Sequence, residues 1–168
     1  MQFLEAGICP LLLDAPSRSG LEIRQGFPAG ASRHLQTEET VVMKRCLISP
    51  NAPAPKANFS HAVIANGTIF LAGQGSRDPV TGEVVGTTAE QQIERTMKNI
   101  DGILQSAGSS MEKVVSTIVY LKDTADFPAL TPAWTKWFPK DPPVRAVLIV
   151  SEFGLPGMLV EVVATAIA

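Results

Sequence analysis

Arg145 and Glu161 are the two residues whose setting points most directly to chemistry. Each interrupts an apolar run near the C-terminus: Pro-Pro-Val-Arg-Ala-Val-Leu-Ile-Val at 142–150 and Met-Leu-Val-Glu-Val-Val-Ala at 158–164. A charge is rarely fully buried unless it is paired, because removing it from water costs several kcal/mol or more. Two exceptions of opposite sign therefore meet each other or meet a ligand. An Arg grips a carboxylate with a planar two-pronged fork. A partly desolvated Glu works as a base near neutral pH. Together they outline a site for a small carboxylate-bearing substrate. The competing readings are a structural ion pair and charges on the solvent face of an edge strand.

Other chemical signals are weak. No Cys/His cluster has metal-ligand spacing, and the two cysteines, Cys9 and Cys46, form no redox motif. Of the two histidines, His34 falls in the N-terminal segment and His61 at a strand start, where a surface role is the ordinary expectation. Gly73-Gln74-Gly75 is no nucleotide loop, since no helix follows it. Glycines so placed permit a bulge or a close backbone approach. No Ser/His/Asp constellation stands out.

The chain must supply elements to hold such a pair. Its 168 residues suit one domain with a tail, and 45% hydrophobic residues are ample for one core. A net charge of −2 gives no basic footprint for nucleic acid. No apolar run reaches the ~18 residues of a membrane helix. The N-terminus makes a poor secretory signal, with Glu5 in place of positive charge and Pro10 breaking a short apolar stretch. The expectation is a cytoplasmic protein with free thiols.

Residues 1–42 hold no sustained period of 2 or 3.6. They read as a disordered extension or an over-extended start, with a docking segment anchored by Leu11–Leu13 as the alternative. Regular pattern begins at Met43. Strands are expected over Lys44–Ser49, Ser60–Ala65 and Thr68–Gly73, the last two joined by Asn66-Gly67, a strong hairpin signal. Thr87–Ala107 is expected to be helical, opened by Thr/Glu and Thr/Gln capping boxes and closed by Gly108. A strand over Val114–Leu121, a helix over Asp126–Phe138 and strands over Val144–Ser151 and Met158–Ile167 complete the order β-β-β-α-β-α-β-β. Such a mixture predicts an α+β fold with both helices on one face of one sheet. The other face, rich in Val and Ile, then calls for a second subunit as cover.

Several segments resemble the reactive-intermediate deaminase (RidA/YjgF) family in order and spacing. They are Ser60-His61-Ala62-Val63, Phe70-Leu71-Ala72-Gly73-Gln74, Asp78-Pro79-Val80-Thr81-Gly82-Glu83, Gln92 to Asn99, Ala107-Gly108, Val119 to Asp123, Asp126-Phe127, Pro143-Val144-Arg145, Leu155-Pro156 and Val160-Glu161-Val162. The resemblance covers about 43–168. It implies a chorismate-mutase-like fold, a single mixed sheet in a homotrimer with clefts between subunits, and a deaminase that hydrolyses small enamine or imine intermediates without metal or organic cofactor. It assigns Arg145 to the substrate carboxylate and Glu161 to the attacking water. Pocket positions fall on Phe59, Ala72, Gly73, Thr131 and Val147. Phe59 and Ala72 stand where the family carries hydroxyls, Thr131 where it carries Asn, and Val147 where it often carries Cys. Two extra residues after Arg145 imply a reshaped loop at Ser151–Gly154. The segments Phe59–His61 and Gly75-Ser76-Arg77 also resemble 2-aminomuconate deaminases, a second enzymatic reading. The third is a trimeric small-ligand-binding or chaperone-like protein with little turnover.

Overall fold

The computed structural model describes residues 44–168; the expectations for 1–42 lie outside the described residues. Strands β1 (Lys44–Leu47), β2 (Ala62–Ala65), β3 (Thr68–Leu71) and β4 (Gln74–Gly75) precede helix α1 (Ala89–Ala107). Then come β5 (Val114–Leu121), α2 (Leu130–Trp137), β6 (Val144–Ile149) and β7 (Val160–Ile167). One mixed sheet runs β1-β2-β3-β7-β5-β6, with β4 also paired to β7. Only β5 and β6 are parallel, and α2 is their crossover.

Local chemistry accounts for the ends of the elements. Asn66 and Gly67 both have positive φ, 48° and 73°, as the two-residue hairpin between β2 and β3 requires. Thr88 caps α1 by accepting the Gln91 N–H, while Gln91 Oε1 accepts the N–H of Thr87. The capping box thus closes one residue further out than its usual form. At the other end Gly108 takes φ 81°, and the Gly108 and Ser109 N–H groups bond Gln105 and Leu104 carbonyls. This is the double closure of a Schellman motif.

The second helix differs from its expected span. Thr124–Ala129 is a 3-10 segment, and the α-helix starts only at Leu130. Pro128 lacks the N–H that a continuous helix would need. The short β4 was not anticipated, because two residues carry no periodicity.

The core lies between the sheet and the helices. Ile93, Met97, Ile100 and Leu104 of α1 meet Ile69, Val119, Leu121, Val160, Val162 and Ala164 of the sheet, all buried. Successive side chains of a strand alternate faces, so the opposite face follows from the register. Across it run Val63, Phe70, Thr165, Ser116 and Val144 in one row and Tyr120, Glu161 and Leu148 in another. Phe70 is 51% exposed, Val144 70% and Leu148 46%. These large apolar side chains lie in the open in the single chain.

Candidate active site

Glu161 stands on β7, paired with Gly75 of β4 on one side and Tyr120 of β5 on the other. Its side chain lies over Gly73. A Cβ built on Gly73 would overlap the carboxyl oxygen Oε1 and sit 2.8 Å from Cδ. Gly73 is therefore the floor on which the carboxylate rests. Gly75 serves the same end beside it, since a Cβ there would strike the Met158 side chain.

Glu161 is half-buried, and among the described residues no side chain or backbone group bonds its carboxylate. Burial alone pushes its carboxyl above the ordinary value of 4.5. A carboxylate without a neutralising partner pays the desolvation cost in this way. It opens into a cleft of about 360 Å³ lined also by Pro53, Phe59, His61, Gly73, Met158 and Leu155 and by the cations Lys56 and Arg77.

The walls of this cleft are held by buried polar side chains of α1. Gln92 donates to the carbonyls of Gly86 and Gly157, and its oxygen accepts the Leu159 N–H at 2.8 Å. Asn99 donates to the carbonyls of Gly75 and Arg77. The two amides thus clamp the loop before β7 and the strand bearing Gly75. Sequence reasoning had not identified them as determinants of the site. Their signal was a polar stripe, Gln92, Thr96 and Asn99, at helical spacing along the apolar face of α1.

His61 is not a surface residue. It is 1% exposed, its Nδ1 accepts the Ser49 N–H and its Nε2–H donates to the Pro53 carbonyl, each at 2.9 Å. Both nitrogens are spent on pinning the loop that carries Lys56 and Phe59, which fixes the neutral tautomer.

Arg145 is placed elsewhere. It stands on edge strand β6 opposite Thr117, whereas Glu161 stands opposite Tyr120. An odd separation along β5 puts the two charges on opposite faces of the sheet. The Arg145 guanidinium lies over the Trp134 ring, 4.9 Å from its centroid. It borders a shallow surface hollow with Thr131, Thr135, Phe138 and Pro142. Arg145 is exposed on an edge strand, as the competing reading of its apolar run had it, because β6 ends the sheet. The expected meeting of Arg145 and Glu161 does not occur within one chain. The remaining predicted residues divide accordingly: Phe59 and Gly73 with Glu161, Thr131 with Arg145. Ala72 lines neither recess, its N–H bonded to the His61 carbonyl, and Val147 packs against the core.

One mixed sheet with two helices, and a carboxylate seated over a glycine at an open cleft, make this a small α+β domain with a candidate site. The chain belongs to the RidA/YjgF family: the family model described as Endoribonuclease L-PSP matches residues 49–168. A RutC family protein of Pyrococcus horikoshii is 37% identical over 125 residues, 74% of this chain and 98% of that protein. The human 2-iminobutanoate/2-iminopropanoate deaminase is 32% identical over 127 residues, 75% of this chain and 91% of that one. Among solved structures, RidA from an Antarctic Psychrobacter superposes with a TM-score of 0.70 at 29% identity, covering 74% of this chain and 99% of that one.

Proposed function

We propose that this protein hydrolyses small imines of 2-oxo acids, and that it does so as a homotrimer whose clefts form between subunits. The observation that carries this reading is Glu161, a half-buried carboxylate with raised proton affinity, open to a cleft and bonded to no protein group among the described residues. A structural carboxylate would be satisfied; this one is left available for water. In the reaction, an enamine first tautomerises to its imine. Glu161 takes a proton from water as the oxygen attacks the imine carbon, then returns a proton to nitrogen as the C–N bond breaks. The imine and one water give a 2-oxo acid and ammonia. The imine carbon is already electrophilic, so the step needs no metal.

Arg145 has the right chemistry for the substrate carboxylate, but its own chain's Glu161 lies across the sheet. Assembly reconciles the two: a neighbouring copy would bring its Arg145 to the Glu161 cleft while covering the apolar face. The Trp134 ring beneath the guanidinium steadies it beforehand, which lowers the ordering cost of a two-pronged contact. The naming of relatives as imine deaminases supports the same chemistry.

The test is release of ammonia from freshly generated 2-aminoacrylate, with and without protein. Acceleration supports the reading. No acceleration, with measurable binding of a 2-oxo acid, favours a ligand-binding protein instead, a reading supported by the lack of hydroxyls at Phe59 and Ala72.

A further inference from the structure

The lining of the Glu161 cleft includes two cations that the reaction above leaves unused. Lys56 and Arg77 both line it. Arg77 is fixed: its Nε donates to the Gly82 carbonyl at 2.9 Å and its Nη2 to the Ala54 carbonyl at 3.3 Å. Lys56 runs alongside, since the point a Gly82 Cβ would occupy is 3.0 Å from Arg77 Nη2 and 3.8 Å from Lys56 Cε. Two like charges are thus gathered at one place. The described residues contain only two ion pairs, both made by Glu94, so neither cation has an acidic partner among them. Asp78, next in sequence, spends its carboxylate on the N–H groups of Val80 and Thr81. Glu83 borders the neighbouring groove with Lys56, beyond ion-pair distance.

These cations do not serve Glu161. No ion pair joins either cation to Glu161, whose carboxyl is pushed up by burial alone. The carboxylate bonded directly to the reacting carbon is the one assigned above to Arg145, so these cations are left for another anion. They are placed for an anion further along the substrate. A cleft of about 360 Å³ has room for a molecule longer than a three-carbon acid.

We propose that Lys56 and Arg77 bind a second, side-chain carboxylate, so that the substrates are dicarboxylic imines. This rests on the deaminase reading, and the experiment separates the two. Imines of alanine and of glutamate are generated in situ by amino-acid oxidases, and kcat/KM is compared. The expected result is a preference for the glutamate imine of about tenfold or more, the size of one charge-assisted contact. That ratio should collapse in Lys56→Met and persist in Lys56→Arg. Lys56 carries the test because Arg77 also holds the loop. No preference in the wild type, or a ratio indifferent to Lys56→Met, overturns the proposal. If neither imine is turned over, the deaminase reading fails, and calorimetry judges the subsite: tighter binding of 2-oxoglutarate than of 2-oxobutanoate, lost in Lys56→Met, sustains it, and equal binding refutes it.

Discussion

Glu161 and Gly73 act as one unit, and their two substitutions separate chemistry from stability. A carboxyl whose pKa is higher in the folded than in the unfolded state binds its proton more tightly when folded. Its contribution therefore favours the fold at low pH and is lost as pH rises through the raised value. Glu161→Gln removes a desolvated charge, so its melting temperature should exceed that of the wild type at pH 8, with the gap closing toward pH 4. Its deamination rate should fall about 10²–10⁴-fold, the usual loss of a positioned base. A variant that melts earlier at pH 8 would mean that the carboxylate is structural. Wild-type activity should rise with pH through a midpoint above 4.5. Gly73→Ala places a methyl against the Glu161 carboxyl. Its neighbour is the end of a side chain facing an open cleft, so the carboxylate can swing away and the fold survive. Activity should drop by about 10²-fold, as for a misplaced catalytic group, with circular dichroism unchanged.

Helix α1 is the element that turns a sheet into a site. One face supplies Ile93, Met97 and Ile100 to the core, while Gln92 and Asn99 reach the loops that border the cleft. Gln92→Leu would leave the Leu159 N–H and the Gly86 and Gly157 carbonyls without their partner. Unmade bonds of this kind cost about 1–3 kcal/mol. Denaturant unfolding should show that loss, and deamination should weaken as well, because the Gly157–Leu159 segment leads directly into Glu161. A variant of full stability would show that the clamp is dispensable. The loop at Lys56 is held by His61 and by Ser49, whose hydroxyl donates to the Gly102 carbonyl. Gly102 permits this approach, since a Cβ there would lie 2.9 Å from the Asn51 carbonyl oxygen.

At the scale of the molecule, the open sheet face and the separated charges make one prediction together. If the cleft is completed by a neighbouring copy, Arg145→Ala and Glu161→Gln chains are each inactive alone. Refolded as a mixture, they should regain part of the wild-type activity, since some clefts then pair an intact Arg145 with an intact Glu161. No recovery, with mixed oligomers shown by mass spectrometry, would require both charges to serve within one chain. Phe70→Asp, in the middle of the apolar face, should give monomers by light scattering where the wild type gives an oligomer, and abolish turnover with it.

The sequence by itself determined the elements and the chemistry on offer. Hairpin dipeptides, capping residues and apolar periodicity are local signals, so the Asn66-Gly67 turn, the end of α1 at Ala107 and the span of β5 could be read directly, with the start of α1 two residues later than expected. Arg145 and Glu161 stood out because a charge in an apolar run is conspicuous in one dimension. Their relation was not readable, because it depends on register: pairing with Thr117 or with Tyr120 of β5 decides the face. Strand order likewise decided that β6 is an edge, and hence that Arg145 is exposed. Gln92, Asn99 and His61 found their partners only once distant segments met. A buried polar group declares its purpose through its partners, and those lie up to 67 residues away in the chain, as between Gln92 and Leu159.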